Sequence, residues 1–210
     1  MKTLDYLVKK FKIDVKTTSP IEIANVGRDN LADWLHELNF KTGVEVGVAA
    51  GAYSEIICKA NPQMTIYGVD AWKPYKGYSD YTQKRTLNKL YREAQSRLKN
   101  YPNYKLIKKF SLEALPRFKN NSLDFVYIDA NHQDPFVTQD ITRWYKKVKP
   151  GGILAGHDYV FSRAVSFDVV TAIKRFTTSQ NLEPWFVLGT WKRLPGIVRD
   201  DSRTWLLVKK

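Results

Sequence analysis

The 210 residues predict an α/β fold: a mostly parallel sheet with helices on both faces, ending in a C-terminal antiparallel hairpin. Two observations carry this expectation. Short apolar, β-branched runs alternate with segments of helical periodicity, and such alternation implies parallel strands covered on both sides. The last two runs, PWFVLGTW and TWLLVKK, are separated by a long turn without a helix, which suits antiparallel pairing.

Each element has its own reason. Leu4, Leu7, Val8 and Phe11 recur at helical spacing, so residues 1–23 are expected to form a helical extension to one domain spanning 24–210. From Arg28 to Asn39, Leu31, Trp34, Leu35 and Leu38 share a helix face. Gly43 punctuates that helix and VEVGVA follows as a strand. Tyr53 to Ala60 predicts a helix burying Ile56, Ile57 and Ala60, broken by Pro62. TIYGVDAW is a second strand, ending at Asp70. A tyrosine-rich loop, KPYKGYSDYT, leads to a basic helix from Arg85 to Leu98. Tyr104 to Lys108 is a third strand, followed by a short helix from Leu112 to Phe118. SLDFVYIDA is the clearest strand of the chain. A helix from Phe136 to Val148 is closed by Pro150-Gly151-Gly152, GGILAGHDY forms a fifth strand, and Val169 to Thr177 forms the last helix.

Composition narrows the class. A chain of this length buries a core without staples. Its single cysteine, Cys58, excludes an internal disulfide and suits a reducing compartment. No apolar run approaches the ~20 residues of a membrane span, and the charged N-terminus lacks a signal-peptide core, so a cytoplasmic protein with no membrane partner is expected. The net charge of +13 attracts polyanions. The basic residues are scattered in pairs, however, and no nucleic-acid motif is present, so a nucleic-acid partner is possible but not favoured. The oligomeric state is unknown at this stage.

Parallel sheets bind ligands at the carboxyl ends of their strands. Glu45, Asp70, Asp129, His157 and Asp158 all fall at or near predicted strand ends. The turn from Val44 to Ser54 is small enough for close approach to a ligand, and the helix after it offers free N–H groups to one. Asp129, His157 and Asp158 could meet across two strand ends, where carboxylates suit Mg²⁺ or Mn²⁺ and an imidazole shifts the preference toward softer metals. His157 and Asp158 could equally be a hydrogen-bonded pair shaping the loop after the fifth strand without a metal, and Asp129 could contact the cofactor or orient a loop. Arg28 is a candidate for reaching an acidic group, while Asp134 and Asp140 are expected to be solvated. The three tyrosines of the 73–82 loop, and Arg163 after the fifth strand, are candidate acceptor contacts.

The segment E-V-G-V-A-A-G resembles motif I of the class I methyltransferases that use S-adenosylmethionine (SAM) on a Rossmann-like sheet. Ala49 stands where the common pattern has a glycine. This resemblance implies a cofactor site of Glu45, Gly47, Val48, Ala49, Gly51, Tyr53 and Ser54, with Asp70 on the ribose hydroxyls and Ala71 and Trp72 beside the adenine. Ser111, Leu112 and Asp129 complete it. The stretch IDANHQDPFVTQDITRWYKKVKPGGILAGHDY is similar to methyltransferase family 24 and to metal-dependent O-methyltransferases of sugars and macrolides. That similarity implies Asp129 and Asp158 as metal ligands and His132 as the general base, with His132 and Asp129 as the catalytic residues. His157 stands where those enzymes carry an acid and is included in the expected metal set. A hydroxyl of a small molecule or glycan is the implied acceptor.

Overall fold

The computed structural model describes residues 2–74, 82–161 and 168–210. The expected tyrosine loop and the Arg163 segment lie almost wholly outside the described residues.

Among the described residues the strands are β1 (Ile21–Ile23), β2 (Thr42–Val46), β3 (Thr65–Asp70), β4 (Tyr104–Lys108), β5 (Leu123–Ile128), β6 (Val148–Tyr159), β7 (Trp185–Leu188) and β8 (Arg203–Val208). They form one sheet in the order β1-β7-β8-β6-β5-β2-β3-β4. Only β8 runs against its neighbours, β6 and β7; every other pair is parallel. The mostly parallel sheet and its C-terminal antiparallel hairpin are therefore as the sequence predicts.

The helices are α1 (Thr3–Phe11), α2 (Arg28–Glu37), α3 (Ala52–Ala60), α4 (Lys84–Leu98), α5 (Ser111–Ala114), α6 (Phe136–Tyr145) and α7 (Val169–Ser179). All six residues of β5 are buried, as a strand covered on both faces requires. Its side chains alternate between two cores. Val126 and Ile128 join Ile141 and Trp144 of α6 and Ile173 of α7. Phe125 and Tyr127 join Leu7 of α1, Leu31 and Leu35 of α2, and Ile57 of α3. A smaller cluster sets Leu87, Ala94 and Leu98 of α4 against Val48 and Trp72.

Three local expectations change. Residues 1–23 contain α1, but also β1, which pairs with β7 through Ile21 and Phe186. Three residues are too few to announce a strand by periodicity; the partner supplies the signal. In α3 the buried residues are Tyr53, Ser54, Ile57 and Cys58, whereas Ile56 and Ala60 are only partly covered. The inward face is turned by Tyr53, which packs on Tyr127 with ring centroids 4.6 Å apart. Pro150-Gly151-Gly152 does not close α6 but lies inside β6, at the irregularity where the β5 register shifts between Leu123 and Phe125. A strand tolerates proline and a left-handed glycine at such a bulge. No helix of the described residues is long and apolar enough to cross a membrane.

Candidate active site

The turn from β2 into α3 is wedged between two strands. Gly47 donates its N–H to the Val69 carbonyl at 2.9 Å, and Asp129 donates to Val46 at 2.8 Å. Gly47 has φ +92°, and a side chain there would collide with the Asp129 carbonyl, so glycine is required twice over. Ala49 holds the left-handed conformation at φ 47° without being glycine. That strain is of order 1 kcal/mol, and it explains why a glycine commonly fills this place.

Asp70, at the end of β3, binds the turn from the other side. Its Oδ2 accepts the N–H groups of Val48 at 3.1 Å and Ala49 at 3.0 Å, and its Oδ1 accepts that of Trp72 at 2.8 Å. Burial raises the pKa of this carboxyl, and the backbone donors oppose the rise. Trp72 closes the clamp by donating its indole N–H to the Ala49 carbonyl at 2.9 Å. Asp70 thus organises the turn before any ligand arrives, and it lines the cavity.

That cavity, of about 600 Å³, runs along the carboxyl ends of β2, β3 and β5. Glu45, Gly47, Val48, Ala49, Tyr53, Asp70, Ala71, Trp72, Ser111, Leu112 and Asp129 all line it. Gly51 and Ser54 do not; they support the turn from behind. The Ser54 hydroxyl donates to the buried Glu45 carboxylate. Burial pushes the Glu45 pKa up to about 8, against the Ser54 hydrogen bond. Arg28, the first residue of α2, brings a positive charge to the same wall. Its guanidinium lies 5.1 Å from the Tyr53 ring centroid and 3.4 Å from Asp129 Oδ2, and its positive charge is felt at Glu45. Asp200, in the long β7–β8 connection, fixes the head of α2 by accepting the Arg28 backbone N–H at 2.7 Å.

Beyond Asp129 the strand ends hold a compact charged group. His132 Nε2 lies 2.7 Å from Asp158 Oδ2 and 3.6 Å from Asp129 Oδ1. His157 Nδ1 is farther off, 3.5 Å from Asp158 and 3.9 Å from Asp129. Burial works to lower the His132 pKa, but the two carboxylates outweigh it and raise the imidazole to about 10. Burial works to raise Asp158, yet His132 and His157 hold it far below the ordinary carboxylate range. Donor atoms of Asp129, His132 and Asp158 all lie within 4.8 Å of one another. This trio, with two carboxylates and one imidazole, fits a divalent ion by its chemistry. His132 occupies the place in it for which His157 was expected. Asp158 reaches the group from a left-handed backbone, φ 57°; like the strain at Ala49, this sits at the site.

One residue escaped the sequence reading. Asp140, expected in solvent, is 5% exposed and lines the cavity. The available signal was its place on the apolar stripe of α6, one turn from Trp144.

With this geometry in view, comparison with known proteins gives a consistent result. No protein of curated function matches the sequence significantly. Among solved structures, the SAM complex of the O-methyltransferase TomG from Streptomyces achromogenes, involved in tomaymycin synthesis, is 16% identical. That alignment covers 100% of this chain and 91% of TomG, with a TM-score of 0.58. A Bacillus cereus O-methyltransferase with bound SAH is 15% identical over 99% of this chain and 90% of its own, TM-score 0.59. An rRNA methylase from Streptococcus thermophilus is 14% identical over 86% and 94%, TM-score 0.56. At such identities these likenesses speak for the fold. The sequence itself matches the methyltransferase-domain family numbered 24 over residues 44–159, from the strand before the glycine turn to the end of β6. More than half of the chain, including every cavity-lining residue except Arg28, falls in that match, and the protein therefore belongs to this methyltransferase family.

Proposed function

We propose that the protein transfers the methyl group of SAM to a hydroxyl oxygen of a small-molecule or glycan acceptor. The observation that carries this reading is the continuity of one cavity from the glycine turn, at Gly47 and Asp70, to Asp129 and His132. A cofactor lying along the turn would present its sulfonium to the charged group beyond it. Asp70 is suited to the ribose hydroxyls, since a carboxylate accepts from vicinal donors in a charge-assisted way. The Arg28 guanidinium and the Glu45 carboxyl share one wall; the cation suits the carboxylate of the amino-acid end of SAM, and the carboxyl oxygens of Glu45 can accept from its amino group.

An alcohol needs help to lose its proton at neutral pH. Asp129 and Asp158 would hold a divalent ion, Mg²⁺ or Mn²⁺, beside His132, and its charge would lower the pKa of a bound hydroxyl. The high pKa of His132 keeps its imidazole protonated in the free protein. It can take an acceptor proton at Nε2 only after yielding its own, which any cation placed beside Asp129 and Asp158 favours. His157 is suited to holding Asp158 in place. Methylation of nucleic acid is the weaker reading, because it rests on the net charge alone.

Titration calorimetry with SAM, with and without Mn²⁺, tests the cofactor claim; mass spectrometry after incubation with hydroxylated acceptors tests the transfer. Micromolar SAM binding and the gain of one methyl on oxygen are expected. Absence of SAM binding in either condition would refute the proposal.

A further inference from the structure

The connection between β7 and β8 presents apolar side chains to solvent. Trp191, Leu194 and Val198 are each more than half exposed, at 53%, 53% and 54%, and Ile197 is exposed beside them. Phe161, just beyond the end of β6, is exposed too and joins the patch with its ring centroid 5.9 Å from that of Trp191. The exposure does not come from slack in the chain. Pro195-Gly196 makes a corner, with Gly196 at φ +75° and the Ile197 N–H donating to the Leu194 carbonyl at 3.3 Å, as in a turn with glycine at its third position. At the base of the loop, Trp191 N–H donates to Glu22 Oε2 at 3.1 Å and Val198 N–H to Asn25 Oδ1 at 2.8 Å. Arg199 Nη1 braces it further by donating to the Trp191 carbonyl at 2.9 Å. A side chain at Gly196 would meet nothing within 4 Å, so the corner stands clear of the body. Apolar groups held outward in a contiguous patch mark a surface that something covers.

The surrounding charge identifies the occupant. Lys192 and Arg193 stand in the loop itself, between Trp191 and Leu194, and Lys174 and Arg175 are exposed on α7. Lys174 Nζ lies 6.0 Å from the Phe161 ring centroid. Asp201 pairs with Arg193, but among the described residues no acid pairs with Lys174, Arg175 or Lys192. Burial and the nearby charges of Arg203 and Arg193 lower the Arg199 pKa, in keeping with a local excess of positive charge. The core of a protein–protein interface is depleted of charge, lysine included. Cations interleaved with tryptophan, leucine and valine instead match a lipid surface, where apolar groups enter the acyl boundary and cations stay among the headgroups.

We propose that the loop from Trp191 to Val198, together with Phe161, seats the protein on a lipid surface bearing anionic headgroups. Such attachment needs no spanning segment. Because β6 and β7 both run antiparallel to β8, their carboxyl ends share one edge of the sheet. Phe161 follows Asp158 by three residues, so the lipid surface would border the edge that carries the cavity. The inference goes beyond the methyl-transfer reading and does not depend on it.

The test is co-sedimentation with vesicles of phosphatidylcholine alone and of phosphatidylcholine with phosphatidylglycerol in equal parts. It compares wild type, Lys192→Glu, and Leu194→Ser combined with Val198→Ser, with melting curves as folding controls. These three side chains are exposed, so the variants should fold. Wild type is expected to bind the anionic vesicles about tenfold or more tightly than the neutral ones, and less tightly as salt is raised. Lys192→Glu should weaken that binding by about tenfold, since one cation near the surface is replaced by an anion. The serine variant should weaken it by a similar factor, about tenfold, through lost apolar insertion. Absence of wild-type binding, or equal binding to both vesicles, overturns the inference. Full binding by the folded serine variant overturns it as well, because adsorption would then be by charge alone. Sedimentation equilibrium addresses the rival occupant: a wild-type dimer that the serine variant dissociates, with no vesicle binding, overturns the lipid assignment in favour of a second copy of the chain.

Discussion

His132 Nε2 lies 2.7 Å from Asp158 Oδ2, a contact that ties the loop after β5 to the end of β6. The imidazole is raised to about 10 from its ordinary 6.5 in this setting. A group whose folded pKa is raised contributes stability that is fully present below its unfolded value and lost as pH rises through the folded one. The contribution of His132 is therefore complete below pH 6.5 and lost as pH climbs toward 10. Histidine ring resonances followed by NMR should show one imidazole titrating far above the others, and Asp158→Asn should bring it down. A wild-type protein whose three histidines all titrate near 6.5 would rule the contact out.

Glu45 makes the opposite demand on an acid. Its pKa of about 8, against an ordinary 4.5, means that burial favours the protonated form. The sign is that of any raised pKa: stability is greatest below 4.5 and falls as pH rises through 8. Glu45→Gln, which is neutral throughout, should gain in melting temperature relative to wild type across that interval. A constant difference between the two proteins from pH 5 to 9 would contradict the assignment.

Asp70 holds three backbone N–H groups of the turn and of Trp72. Asp70→Ala should weaken SAM binding by about 1–3 kcal/mol, the scale of lost charge-assisted hydrogen bonds, and should lower the melting temperature as well. Calorimetry and thermal denaturation separate the two effects. Unchanged affinity would show that the carboxylate serves the turn alone.

For the trio of Asp129, His132 and Asp158, calorimetry with Mn²⁺ should detect one site in the wild type, with loss of about tenfold or more in affinity on Asp158→Asn, since a ligand is removed. Chelator-treated protein should lose methyl transfer and regain it with the ion. Equal Mn²⁺ binding by wild type and variant would remove Asp158 from the ligand set.

His132→Ala should leave SAM affinity intact while slowing turnover by ~10²–10⁴. Equal turnover would exclude the imidazole from the reaction.

Much of the fold was legible in the sequence because its signals are local. The alternation of strand and helix, the glycine turn and the acids at strand ends all depend on residues a few positions apart. The antiparallel hairpin was legible too, since no helix intervenes between its two runs. β1 was not, because a three-residue strand has no periodicity of its own and exists through pairing with β7. Asp140 was misjudged for a similar reason: its type suggests solvent, and only the packing of α6 beside α5 places it in the cavity. The histidines show where local reading ends. The register Ile128 opposite Gly156 brings His157 near Asp129, as strand counting expects. Which histidine joins both carboxylates is decided by the left-handed backbone of Asp158 and the return of the loop after β5, which put His132 closer. The sequence by itself thus determined the architecture and the residue types at the strand ends. The tertiary structure alone decided which of them meet, because side-chain contacts between separate loops depend on sheet register and loop path, and neither is written in neighbouring residues.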